Sequence, residues 1–462
     1  MRKLLFSVLF AVVAVTASAQ TAHWITVDDS TRNERNTWIE FKKDLTLKKK
    51  VKKAEAKIAA DSKYWLWING ELIIFEGCLK RGPNPKDSYY DVVDLGQYMK
   101  KGHNDIKVLL CYFGKGGMSH YDTGKSSFIL DAPQIGLYTD KSWNSRRLSA
   151  YGISEDKEPN YRLPESIIKY DARLAGCDAW MPSVELGSWG DAPWNRLHER
   201  VIPMWKDYGI KYLDFKTSED ENGNIVHSAR LPYNCQFTPV INLTDKGEGT
   251  FVRIETDHAL LPFNTQCLYA EYITRNGYQE YESLGWLNGH NLYVIYPKDA
   301  DITLHSLSFR ETGYDCEFEG SFTSSDEFLN RYWKKAVRTL YVNMRDNYFD
   351  CPDRERAQWW GDVVVLMGEC FYSYSTSTHA LMKKAIDQLC AHQAEDGTLH
   401  SPVPGIYTKE LPGQMLASVG RYGFWNYYMN TGDLQTIKDV YPAVKRYLSV
   451  WQTDDTGLTV YR

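Results

Sequence analysis

The apolar pattern of this chain changes period once, near Ser324, and that change limits the architectures open to it. Over residues 38–130 the pattern is extended: Trp38, Glu40, Lys42, Asp44 and Thr46 alternate with Ile39, Phe41 and Leu45. In YWLWINGELIIFEG two runs of aromatic and β-branched residues flank Asn69-Gly70, the pair that a two-residue type I′ hairpin turn demands. Further strands are predicted over 89–95 and 105–113. A second β region, 231–318, predicts strands over 251–256, 268–274, 292–296 and 302–309. Short strands separated by turn signals imply antiparallel sandwiches. After Ser324 the recurrence is helical. Ser324 and Glu327 have the spacing of a capping box, with Phe328, Tyr332, Ala336, Leu340 and Met344 as the predicted apolar stripe. Helical patterns continue over 363–375, 377–393, 415–430 and 434–451. Ser377 and Asp433 are the predicted N-caps, and Gly397 and Gly432 punctuate the gaps. About five helices and no strand are expected there.

The division that follows is a first β-sandwich over 20–140, a second β-sandwich region over 231–320, and a helical domain over 321–462. Residues 141–230 read as an irregular connection rich in Trp and Pro. They include PNYRLPESIIKYDARL and GSWGDAPWNRL, which lack periodicity. Such a stretch is either a packed connection or a site-forming loop.

The N-terminus carries an export signal by its pattern. Basic Met1-Arg2-Lys3 precedes an apolar run from Leu4 to Val15 and the small residues Thr16-Ala17-Ser18-Ala19. The run is too short to span a bilayer, so residues 1–19 are expected to be a removed signal peptide. No cysteine follows to take a lipid, and no later segment has the length of a membrane span. An exported protein, periplasmic or extracellular and without a membrane anchor, is expected. The net charge of -5 argues against nucleic acid as a partner. Nine cysteines, odd in number and without close pairs, write neither a zinc motif nor a small disulfide framework; Cys111 and Cys390 read as buried thiols, and an oxidising compartment leaves one or two disulfides open. His258, His290 and His379 are isolated in sequence, and no metal-ligand spacing is present.

Chemistry concentrates in DNYFDCPDRERAQWWGD, residues 346–362. Asp350, Asp353, Glu355 and Asp362 stand there among Arg354, Arg356, Trp359 and Trp360. Glycoside hydrolysis uses this mixture: one carboxyl protonates the leaving oxygen, others accept from sugar hydroxyls, and an aromatic face covers the ring. The competing view is a surface loop of solvated ion pairs, against which two adjacent indoles speak. Cys351 reads as packing, because no histidine stands near it in sequence.

The run DCPDRERAQWWGD resembles the signature loop of glycoside hydrolase family 78, the α-L-rhamnosidases. The resemblance implies that Glu355 is the general acid, that Asp350, Arg354 and Asp362 hold rhamnose hydroxyls, and that Trp359 lies at the sugar. More weakly, Trp425 in Phe424-Trp425 resembles a position further along the family's barrel. The implied fold is multidomain: N-terminal antiparallel β-sandwich (jelly-roll) modules followed by an (α/α)6 barrel, of which 321–462 would be part. WLWINGELI with YYDVVDL and IKVLLCYFG is similar to the family's jelly roll. The implied reaction is inverting removal of terminal α-L-rhamnose from a plant-type oligo- or polysaccharide, without a cofactor. A barrel of twelve helices needs about 300 residues or more. The family's general base, a Glu of the far half, is therefore expected beyond residue 462, and the chain is expected to be incomplete. The alternatives are a non-catalytic glycan-binding remnant and another six-hairpin glycosidase or lyase.

Overall fold

A computed structural model describes residues 21–80, 82–155 and 158–461; the expected signal peptide lies outside the described residues. In the first module Thr37–Leu47 pairs antiparallel with Gly102–Tyr112 along its whole length. Lys63–Ile68 lies on the other side of Gly102–Tyr112 and turns into Glu71–Gly77. Both turn residues are left-handed, Asn69 at φ 54° and Gly70 at φ 83°, as the type I′ turn requires. The facing sheet centres on Glu55–Asp61, between Ser88–Asp94 and Ser127–Ala132. The period of two puts Ile39 and Phe41 into the core with Leu66, Val108, Leu110 and Phe128. Trp38 points the other way, against Trp65, Phe75 and Ile168 at the junction with the second module. Both faces of the first half of this strand, Thr37 to Phe41, are therefore buried.

The second module packs a four-stranded sheet, Lys206–Leu213, Ile302–Gly313, Phe237–Asp245 and Gly277–Glu282, against a seven-stranded one. Its strand Phe251–Thr256 has the predicted bounds. Residues 141–230, read as irregular, instead carry strands of both modules. Asn144–Arg147 extends the first module beside Thr37–Leu47, while Ile168–Asp171 pairs in parallel with Ala270–Ile273 of the second. Lys206–Leu213 and the hairpin Phe215–Glu219/Asn224–Arg230 also belong to the second module, which thus starts before residue 231. These strands are short, mostly at sheet edges and half-exposed, so no alternation betrays them.

Among the described residues six α-helices follow: α1 (Glu327–Val342), α2 (Trp360–Ser373), α3 (His379–Ala391), α4 (Pro412–Val419), α5 (Phe424–Thr431) and α6 (Leu434–Leu448). The N-cap of α1 is Asp326, whose carboxylate accepts from the Phe328 amide, whereas Ser324 accepts from the Asp326 amide one step earlier. The predicted stripe is displaced in part as well. Phe328, Tyr332 and Ala336 face outward, Leu340 and Met344 are buried as predicted, and Val337, Tyr341 and Val342 complete the buried side of α1. α3 starts after Thr378, not Ser377, while Asp433 caps α6 as predicted. The pattern over 415–430 divides into α4 and α5, because Gly420 and Gly423 leave helical geometry. Two-residue strands His400–Ser401 and Lys409–Glu410 pair in a region where no strand was expected. All nine cysteines are free thiols, Cys111 buried and Cys390 partly so. Among the described residues no helix is long and apolar enough to cross a membrane.

The three parts meet on a buried ionic network. Arg345, just after α1, donates to Glu76 of the first module at 2.7 Å and to Gln236 and Thr312 of the second. Asp346 accepts from the Lys80 amide and lies 3.6 Å from Lys63 Nζ. Burial works against its charge, but Lys63, Lys80 and Lys384 outweigh it and hold the carboxyl well below its usual range.

Candidate active site

Residues 343–359 leave α1 and return to start α2. The loop closes on itself where the Asp350 amide donates to the Ala357 carbonyl (2.9 Å) and the Ala357 amide to Asp350 Oδ1 (3.2 Å). Arg356 anchors the loop beneath. It is fully buried and left-handed at φ 51°, an uncommon state for a side chain of its size. Its guanidinium lies 3.2 Å from the centre of the Trp286 ring and donates to the carbonyls of Pro352 and Trp286. It also donates to Glu165 Oε1 at 3.2 Å, and Lys80 Nζ stands 3.0 Å from the same oxygen. Burial penalises Glu165, but Lys80 and Arg356 outweigh it and bring the carboxyl down to about 2. A second anchor is Asp353, whose Oδ2 is 3.1 Å from His258 Nδ1. That hydrogen bond raises the histidine pKa against the effect of burial. His258 and His290, isolated in sequence, thus meet beside Asp257, whose carboxylate accepts from the His290 and Asn291 amides.

Held this way, the loop presents Glu355, 6 % exposed. Its Oε2 accepts from the Trp359 indole at 2.6 Å. Its Oε1 faces two guanidinium groups, Arg354 at 3.0 Å and Arg162 at 3.4 Å. Arg354 also lies 3.5 Å from Asp350 Oδ2. Burial, and after it the charge of Glu355, pushes the Asp350 carboxyl up to about 6. Asp362, in the first turn of α2, is raised by partial burial first and also by the charge of Glu355. Asp350, Arg354, Glu355, Trp359 and Asp362 therefore come together. Trp425 does not join them: 55 % exposed, its ring is tilted against that of Tyr428 along an apolar groove shared with Val440, Tyr441 and Val444. Cys351 hydrogen-bonds Asp350, and its thiol is pushed up to about 12, chiefly by burial. A thiol so rarely ionised is a poor nucleophile.

Arg162, Glu165 and the anchoring roles of Arg356 and Asp353 escape sequence reasoning. Arg162 and Glu165 lie in PNYRLPES, so the undecided segment is both a packed connection and part of the site. Its one signal was two charged residues in a Pro-rich stretch with no helical or strand pattern to expose them.

The family model described as bacterial alpha-L-rhamnosidase 6 hairpin glycosidase domain matches residues 317–460. An α-L-rhamnosidase of Formosa agariphila is 20 % identical over 92 % of this chain, which spans 50 % of that relative's length. The family 78 rhamnosidase structure from Bacillus sp. GL1 covers 95 % of this chain and 70 % of its own, with 16 % identity and a TM-score of 0.81. The Streptomyces avermitilis α-L-rhamnosidase, solved in complex with L-rhamnose, covers 90 % of this chain and 42 % of its own, at 19 % identity and a TM-score of 0.70. At such identities the structural likeness speaks for the fold.

Proposed function

We propose, for a chain that belongs to glycoside hydrolase family 78, the α-L-rhamnosidases, that the loop 346–362 binds a terminal α-L-rhamnose and supplies the acid half of its hydrolysis. The observation that carries this reading is the buried Glu355, held by an indole on one oxygen and guanidinium groups on the other, with the raised carboxyl of Asp350 beside it. In the reaction Glu355 Oε1 first takes up a proton as Arg354 leaves it, and then gives that proton to the glycosidic oxygen as the bond to the anomeric carbon breaks. Water adds to that carbon from the opposite face, giving inversion, and its proton goes to a base that this loop does not supply. Arg354 is the exposed partner of Glu355 Oε1, and its departure opens that oxygen to the substrate. Asp350 and Asp362 accept from sugar hydroxyls, and the Trp359 ring covers the sugar's apolar side. Because rhamnose ends many plant-type glycans, these are the proposed substrates, acted on in the periplasm or outside the cell.

The test compares leaving groups in a polypeptide that carries this loop and turns over rhamnosides. Glu355→Gln should lower kcat/KM on an alkyl α-L-rhamnoside by about a hundredfold or more. A nitrophenyl rhamnoside, whose leaving group needs less protonation, should lose clearly less. Equal losses on both would remove Glu355 from the acid role and leave it a binding or structural one.

A further inference from the structure

Beyond Glu355 Oε1, reached through Arg162, stands a pair of aromatic rings that the account above does not use. Tyr161 and Tyr407 are 57 % and 43 % exposed and meet edge to face with ring centres 5.2 Å apart. Between them and the acid lies Arg162, its guanidinium 5.0 Å from the centre of the Tyr161 ring and 3.4 Å from Glu355. Ile406, also exposed, extends the apolar surface.

Exposed aromatic rings are unremarkable when they swing freely; these stand on backbone with little room to move. Three segments from different parts of the chain cross beneath them. The Met118 amide donates to the Arg162 carbonyl at 2.8 Å, and the Ile406 amide to the Gly117 carbonyl at 2.9 Å. A Cβ at Gly117 would lie 2.6 Å from the Arg162 carbonyl oxygen, and one at Gly405 2.5 Å from that of Met118. The crossing is therefore closed to side chains, and residues 161, 162 and 407 are set by a loop of the first sandwich.

An acid that protonates a glycosidic oxygen has the sugar on one side and the leaving group on the other. Asp350, Trp359 and Asp362 belong to the sugar's side. We propose that Tyr161, Tyr407 and Arg162 form the leaving-group subsite, which accepts a flat ring with an apolar face, and that Arg162 is also a positioning residue for Glu355. A phenolic aglycone and the face of a second sugar share this chemistry. The inference rests on the rhamnoside reading given under Proposed function.

Equilibrium binding to the protein as it stands provides the test, with L-rhamnose, methyl, phenyl and glucosyl α-L-rhamnosides as probes. The phenyl or the glucosyl compound should bind at least about fivefold more tightly than the methyl one, the order of a single stacking contact; whichever gains more identifies the ring preferred. Tyr161→Ala and Tyr407→Ala should each weaken that compound at least about fivefold more than they weaken methyl rhamnoside, with Tyr161→Phe restoring the difference. Arg162→Gln should alter the pH dependence of binding, a readout that mere loss of packing would not move. If rhamnose binds but no ring adds affinity, or if the tyrosine variants weaken every probe equally, the subsite is refuted. If not even rhamnose binds, the rhamnoside reading itself fails, and the subsite with it.

Discussion

Asp350 is held in the folded protein against its own charge. Its carboxyl is raised to about 6 by burial and by Glu355, from about 3.9 in an unfolded chain. A raised carboxyl contributes stability that is fully present below the unfolded value and is lost as pH rises through the folded one. Two units correspond to at most about 3 kcal/mol. Asp350→Asn keeps the oxygen that accepts from Ala357 and removes the charge. It should raise the melting temperature at pH 7.5 and give no gain at pH 4; the same gain at both would refute this assignment. Glu165 has the opposite sign. Lowered to about 2, it contributes stability above about pH 4.5 that is lost as pH falls toward 2. Glu165→Gln leaves Lys80 and Arg356 without this counter-charge, which should cost about 3 to 5 kcal/mol, read by denaturant unfolding at neutral pH.

At the scale of elements, what is written locally could be read locally. Asn69-Gly70 specifies its hairpin because both residues tolerate left-handed backbone, and Asp433 caps α6 through bonds only three residues long. The density of charge and indole in 346–362 likewise singled out a loop whose Asp350, Glu355, Trp359 and Asp362 do come together. What fixes that loop was not legible, because Arg356 reaches Glu165 across 191 residues and Asp353 reaches His258 across 95. No spacing rule spans such separations. The edge strands of 141–230 escaped for a related reason: they acquire partners only once two sandwiches exist. In α1 the local pattern pointed to Ser324 as cap and a stripe through Phe328 and Tyr332, whereas Asp326 caps the helix and packing buries Val337, Leu340 and Tyr341. Asp326→Ala should therefore cost about 1 kcal/mol and Ser324→Ala clearly less, measured by thermal unfolding.

Over the whole molecule, two sandwiches and a helical domain share the ionic junction at Arg345, Asp346 and Glu165, so the first module helps to place the loop 346–362 of the third. The helical domain also presents apolar surface outward. Val365, Tyr372, Tyr422, Trp425, Met429 and Tyr441 are exposed along α2, α5, α6 and the turn before α5. Patches of this kind promote association, so sedimentation should show concentration-dependent self-association, reduced when Tyr372 and Tyr441 are replaced by Ser. The claim on which the account turns is that the loop 346–362 holds rhamnose. Its most direct test is calorimetric titration of the wild-type protein, Asp350→Ala and Asp362→Ala with L-rhamnose, with D-mannose as the control sugar. The account predicts saturable binding of rhamnose by the wild type, weaker binding of mannose, and at least about tenfold loss in each variant, since hydrogen bonds to charged groups contribute about 1.5 to 3 kcal/mol. Rhamnose binding that survives both substitutions, or no binding by the wild type, would contradict it.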